Sequence, residues 1–233
     1  MRFRLLACDY DRTIATEGVV VEQVKRSLTE VRDSGRRLLL VTGRTMEELL
    51  DVFQDLPLFD RIVCENGALL YSPDTRAERL LCPPVPPELV ADLRRSALPR
   101  VVAGRGIVSA PAESDVVVEA AMRRLGVEWE LIYNRDSVMV LAPGCSKASG
   151  LGAAAADLGV AMQQVVTVGD GENDAALLEA GAIGVAVENA VDMLKERADI
   201  VLTRPGPDGI SDLCASLAQH DLADLLEASA VAS

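Results

Sequence analysis

Two short acidic segments carry the densest chemistry in this chain. Asp9-Tyr10-Asp11-Arg12-Thr13 follows an apolar run from Phe3 to Cys8, and Gly169-Asp170-Gly171-Glu172-Asn173-Asp174 follows Val165-Val166-Thr167-Val168. Two buried strands that each finish in carboxylates can bring Asp9, Asp11, Asp170 and Asp174 to one edge of a sheet. Taken singly, each acid reads equally well as a solubilising loop residue. Together they would repel one another and titrate abnormally unless a divalent cation neutralised them. The arrangement points to a hard-metal site built for phosphate chemistry.

The elements needed to position these acids are legible in the periodicity. Residues 3–9 are continuously apolar, as in a strand buried on both faces. Residues 20–34 repeat apolar side chains at helical spacing, 36–42 form a second buried strand, and Thr45-Met46-Glu47-Glu48 opens a helix as a capping box. Residues 61–64 are a third strand, followed by the turn Glu65-Asn66-Gly67-Ala68 and a short extension at 69–71. This order implies parallel βαβ units with right-handed crossovers. Asp9, Thr42, Glu65 and Asp170 then each lie just past a strand end, where open parallel sheets bind their ligands.

The pattern changes between two proline joints, Cys82-Pro83-Pro84-Val85-Pro86-Pro87 and Ala142-Pro143-Gly144. Between them the reading is helix 87–97, strands 100–103 and 107–110, helix 113–125, and strands 128–133 and 137–141. This is αββ twice, with arginines Arg105 and Arg135 at the hairpin tips. A bounded segment with its own topology reads as an inserted small domain. The expected fold class is α/β: a Rossmann-like doubly wound parallel sheet core (1–82 and 144–233) with a small α+β insert (83–143). After the insert come helix 147–158, strand 165–168, a helix from about Asn173, strand 183–187, helix 190–197, strand 199–202 and helix 208–218. The alanine-rich residues 221–233 could add helical turns but read as a frayed end.

Composition limits the function. A net charge of −13 argues against nucleic acid or an anionic membrane as partner. The one histidine, His220, makes histidine-based catalysis or ligation improbable. Five cysteines without paired metal-ligand spacing read as reduced core thiols of a cytoplasmic protein. No apolar stretch approaches the ~18 residues of a membrane span. Met1-Arg2-Phe3-Arg4 with its short apolar run reads as a strand, not a signal peptide.

Asp9-x-Asp11-x-Thr13, Thr42-Gly43-Arg44, Lys147 and Gly169-Asp170-x-x-Asn173-Asp174 occur in this order along the chain. With them the chain resembles the haloacid dehalogenase superfamily of phosphohydrolases, in the branch whose cap is inserted after the third strand. Within that branch it looks most like small phosphoglycolate and sugar-phosphate phosphatases. The resemblance implies Asp9 as nucleophile, Asp11 as acid and base with an upshifted pKa in the substrate complex, and a small-molecule phosphate ester as substrate. It implies Mg²⁺ held by Asp9, the Asp11 backbone carbonyl, Asp170 and Asp174, the last directly or through water. Thr42, Gly43, Arg44, Lys147 and Asn173 would bind or orient the phosphoryl group, with Asn173 also capping its helix or steering Asp170. A phosphomutase using the cap arginines, or a catalytically weak ligand-binding relative, are the alternatives. Oligomeric state is not legible.

One position departs from the pattern. Arg12 stands where glycine is usual, either pointing to solvent, crowding the entrance, or meeting a second anionic group on the substrate. Trp129 and Tyr133 alternate along an insert strand, either packing on the insert's helices or lining the sheet face above the site.

Overall fold

A computed structural model describes residues 1–232, with side chains through Ala230. The chain opens with β1 (Leu5–Asp9), α1 (Glu22–Asp33), β2 (Arg37–Val41), α2 (Met46–Val52), β3 (Arg61–Cys64), β4 (Leu69–Ser72) and β5 (Ala77–Leu80). It continues through α3 (Pro87–Arg95), β6 (Val102–Ala103), β7 (Ile107–Pro111), α4 (Asp115–Leu125), β8 (Glu130–Asn134) and β9 (Ser137–Leu141). It ends with α5 (Lys147–Asp157), β10 (Val165–Gly169), α6 (Ala175–Ala180), β11 (Ile183–Ala186), α7 (Asp192–Lys195), β12 (Ile200–Val201), α8 (Gly206–His220) and α9 (Ala223–Ala232).

The larger sheet runs β12-β11-β10-β1-β2-β3-β4-β5 and is parallel from β12 to β3. Its residues alternate between two cores, which is why β1 is apolar throughout. Leu6 and Cys8 join α1 and α8 on one face, whereas Leu5 and Ala7 join Leu151 and Ala154 of α5 on the other. Strand order reverses between β1 and β10, whose C-terminal ends carry Asp9 and Asp170. That crevice is where a doubly wound sheet binds its ligand.

The second sheet is antiparallel, in the order β6-β7-β9-β8. Leu89, Leu93, Val118 and Met122 of α3 and α4 pack on Val108, Val138 and Val140 of one face. The other face sets Ile107, Met139 and Leu141 against Ala68 and Ala142 near the larger sheet.

Four expectations are corrected. The extension after β3 is a hairpin, and its second strand, β5, carries too little apolar patterning to announce itself: Ala77, Glu78 and Arg79 are exposed. The helix expected over 190–197 shrinks to α7, because Val191 stays extended and donates its amide to the Asp170 carbonyl at 2.9 Å. The C-terminal segment is helical as α9. Leu222 buries completely, and Asp221 accepts hydrogen bonds from the Phe3 amide at 3.2 Å and Arg36 at 2.8 Å, which ties the helix's origin to β1. Ser233 lies outside the described residues. Finally, Cys82 and Cys145 form a disulfide, with Cα atoms 6.1 Å apart, because the two proline joints converge. Cys8, Cys64 and Cys214 are free and buried, as expected of core thiols.

Candidate active site

Asp9 ends β1 with only 4 % of its surface exposed, and Lys147 opens α5 with 1 %. The ammonium lies 2.5 Å from Asp9 Oδ1 and 2.7 Å from Asp174 Oδ1. A lysine in the first turn opposes the helix dipole, and these two carboxylates offset that cost. Burial tends to lower the Lys147 pKa, but Asp174 and Asp9 outweigh it and hold the group protonated, above its ordinary range. Burial pushes the Asp9 carboxyl well above the usual carboxylate range, Asp174 adds to the rise, and Lys147 opposes it. No hydrogen bond among the described residues engages Asp9 Oδ2.

Past β10 the chain turns so tightly that a side chain on Gly169 would place its Cβ 2.5 Å from Asp174 Cγ. The turn is closed by Asp174 Oδ2, which accepts the amides of Asp170 and Gly171 at 3.0 Å each. Asp174, not Asn173, therefore caps the segment. Asn173 instead donates from Nδ2 to Asn66 Oδ1 at 2.9 Å, so it neither caps nor hydrogen-bonds Asp170. Burial, and then the charge of Asp174, raise the Asp170 pKa, against the pull of Arg135.

Oxygen atoms of Asp9, Asp170 and Asp174 all lie within 4.8 Å of one another, and all three residues are buried. A carboxylate-only donor set with no Cys or His selects hard cations, and the mutual repulsion of these acids supplies the reason to bind one. The buried Asn173 Oδ1, without a donor among the described residues, adds an orphaned acceptor beside them. These residues fit a divalent metal.

Asp11 is turned toward Arg44. The guanidinium grips both carboxylate oxygens, Nε to Oδ2 at 2.7 Å and Nη2 to Oδ1 at 2.8 Å, and it stacks 5.5 Å above the Tyr10 ring. Thr42 is buried, and its hydroxyl accepts the Arg44 amide at 3.2 Å. Thr45 caps α2 in the expected box with Glu48.

A cavity of about 460 Å³ lies between the two sheets, with Asp9, Asp11, Gly43, Lys147 and Asp170 on the core side. Ser109, Asn134, Ser137 and Met139 of the second sheet face it. Thr42, Asn173 and Asp174 are not among the residues that line it. Glu65 does not reach it, since its buried carboxylate accepts the Arg105 and Gly106 amides at 3.1 and 2.7 Å. Of the two hairpin-tip arginines, Arg135 enters the cavity and donates to Asp170 Oδ2 at 2.6 Å, while Arg105 pairs with Glu78. The tip position flagged Arg135, but its contact with Asp170 had no local signal. Trp129 and Tyr133 do not line the cavity. Trp129 packs both on the insert's own core and on the cluster of Ala68, Met139 and Cys145 between the sheets, and Tyr133 is exposed and bonds Asp115 at 3.2 Å.

The ordered motifs converge on this crevice, and the chain matches the haloacid dehalogenase-like hydrolases over residues 6–99 and 109–213. The chain belongs to that family. It is 25 % identical over 231 residues to 5-amino-6-(5-phospho-D-ribitylamino)uracil phosphatase of Bacillus subtilis, covering 89 % of this chain and 93 % of the relative. It is 29 % identical to phosphoglycolate phosphatase of Methanothermobacter thermautotrophicus, covering 90 % of this chain and 96 % of the relative. Its fold superimposes with a TM-score of 0.77 on a haloacid dehalogenase-like hydrolase from Bacteroides thetaiotaomicron. That match has 19 % identity and covers 92 % of this chain and 99 % of the other. No described helix of this hydrolase is long and apolar enough to cross a membrane.

Proposed function

We propose that this chain is a magnesium-dependent phosphatase of small phosphate esters, working through an aspartyl-phosphate on Asp9. The observation that carries the reading is the single buried ammonium of Lys147 shared by Asp9 and Asp174. It leaves Asp9 Oδ2 free to attack phosphorus, and it supplies positive charge where a dianionic ester must approach an anionic nucleophile. Asp9 forms the P–O bond as the ester oxygen departs with a proton from Asp11. Water, deprotonated by Asp11, then cleaves the acyl phosphate and releases inorganic phosphate.

Asp9, the Asp11 carbonyl, Asp170 and Asp174 are the groups that would hold Mg²⁺, Asp174 through water because both its oxygens are engaged. When bound, the ion supplies charge neutralisation for the phosphoryl oxygens. Gly43 gives the phosphoryl group close backbone approach. Arg44 sets the orientation of Asp11, which must leave its grip to face the leaving group.

In this reading residues 83–143 act as a cap over a core of 1–82 and 144–233. The cavity is small and faced on the cap side by Ser109, Asn134, Ser137 and Met139, which favours metabolites over phosphoproteins. Of the cap arginines, Arg100 and Arg135 reach the cavity, and each is already paired, with Glu48 and Asp170. A mutase needs spare cap cations to retain a bisphosphate, so hydrolysis is the better reading.

Hydrolysis of p-nitrophenyl phosphate with Mg²⁺, with EDTA and with Asp9→Asn tests this directly. Turnover that depends on metal and on Asp9 is expected. Turnover that survives Asp9→Asn rules the mechanism out.

A further inference from the structure

Arg12 is the odd cation of the cavity. Arg44, Arg100, Arg135 and Lys147 also line it, and every one of them has a carboxylate partner: Asp11, Glu48, Asp170, and Asp9 with Asp174. The Arg12 guanidinium has none among the described residues. It lies where the catalytic cavity meets a second cavity of about 940 Å³, shaped by Glu17, Gly18, Val21, Pro205, Pro207 and Asp208, and it lines both.

The backbone beneath it is held at φ +60°, in the left-handed region that glycine occupies at no steric cost. An arginine kept there costs stability, and its exposed side chain makes no hydrogen bond or ion pair among the described residues. Its main chain is pinned from both sides: the Arg12 amide donates to the Ala15 carbonyl at 2.8 Å, and the Arg12 carbonyl accepts from Asn189 Nδ2 at 3.0 Å. Asn189 is itself fixed by the Gly206 amide at 2.6 Å. The origin of the side chain is thus set in place, while its charge is left unused.

We infer that Arg12 is a specificity residue that binds a second anionic group, carboxylate or phosphate, on the leaving portion of the substrate. This inference rests on the phosphatase reading. The transferring phosphoryl group would be served by Lys147 and by a metal held by Asp9, Asp170 and Asp174. A second negative charge on the same molecule would meet cations that each already hold a carboxylate, with only a buried Nε–H of Arg135 unpartnered, except at the mouth where Arg12 stands. A guanidinium fork matches either anion in a bidentate fashion. Substrates of this class are short phosphorylated carboxylic acids and bisphosphates, rather than neutral polyol monophosphates.

The test is a series of ω-phosphonooxy carboxylic acids with two to five carbons, each compared with the ω-hydroxyalkyl phosphate of equal length. Diol bisphosphates form a third arm that separates a distal phosphate from a carboxylate. The reading is the ratio of kcat/KM, charged over neutral, for the wild type, Arg12→Gln and Arg12→Gly. Wild type is expected to prefer the charged member at one or two lengths by about 10-fold, the size of a charge-assisted hydrogen bond. Arg12→Gln should abolish that ratio. Arg12→Gly, which suits the +60° backbone, should melt no lower than wild type and lose the ratio equally. A ratio that survives both substitutions, or no preference at any length, overturns the inference. If wild type turns over no ester at all, the phosphatase reading fails separately. The same ratio is then read as affinity of Asp9→Asn for each pair by calorimetry, where equal affinities overturn the assignment.

Discussion

Lys147 Nζ stands 2.5 Å from Asp9 Oδ1, with both side chains almost wholly withdrawn from water. Such a pair is costly to form and costlier to break. Lys147→Ala would leave Asp9 and Asp174 facing each other without a cation, a loss of about 3–5 kcal/mol for a buried pair stripped of one partner. Thermal unfolding should show a large drop in Tm that Mg²⁺ partly restores. A variant as stable as wild type without metal would contradict this account of the site.

Asp11 and Arg44 make a separable prediction. As general acid, Asp11 matters most when the leaving oxygen is basic. Asp11→Asn should lower kcat by about 10²–10⁴ on alkyl phosphates. The loss should be much smaller in the first, p-nitrophenol-releasing turnover of p-nitrophenyl phosphate, whose leaving group needs no proton, while later turnovers of both esters still need Asp11 to deprotonate water. Equal losses in that first turnover would rule Asp11 out as the general acid.

Glu65 joins the two sheets. Its buried carboxylate receives the Arg105 and Gly106 amides, and a Cβ on Gly106 would lie 2.5 Å from Ala68 Cβ. Glu65→Ala leaves those amides without an acceptor, at about 1–3 kcal/mol each where buried. Hydrogen exchange should speed up first at residues 104–106. Protection unchanged there would mean that the contact does not hold the insert in place.

The Cys82–Cys145 bond closes the base of the insert across a separation of 63 residues. Its reduction, or Cys82→Ser, should lower stability by about 2–4 kcal/mol. Alkylation of the denatured, unreduced protein should label Cys8, Cys64 and Cys214 alone. Labelling of all five cysteines would show the pair to be open.

Asp221 gives the pH dependence. Its partial burial works against ionisation, but the Arg2 and Phe3 amides and the Arg36 guanidinium hold its carboxyl below the ordinary range. A depressed folded pKa means stability that is present above the unfolded value, about 4, and lost as pH falls through the folded one. Asp221→Asn should therefore melt below wild type at neutral pH, by about 1 kcal/mol after allowing for solvent screening of the partly exposed carboxylate. The gap should close in acid. A gap that is constant down to pH 2 would assign the effect to shape rather than charge.

Much of this was written in the sequence. The continuous apolar runs, the capping box at Thr45 and the two proline joints gave the parallel core and the insert, because burial on both faces and helix capping are local demands. Carboxylates at successive strand ends located the crevice for the same reason: a parallel sheet puts those ends on one edge. β5 was not legible because Ala77, Glu78 and Arg79 are exposed and carry no apolar pattern, and α9 and the shortness of α7 because each is fixed by a partner distant in the chain.

The sequence by itself determined which residue types reach the crevice: Asp9, Asp11, Gly43, Arg44, Lys147 and Asp170. Only the tertiary structure decided how their charges are shared. Lys147 bridges Asp9 and Asp174, Arg44 takes Asp11, Arg135 crosses from the insert to Asp170, and Glu65 leaves the site to hold the insert. Those pairings depend on which elements meet in space, and Coulomb energy in a poorly screened interior changes within a few ångströms. The disulfide follows the same rule, because the spacing of Cys82 and Cys145 says nothing until the two joints converge.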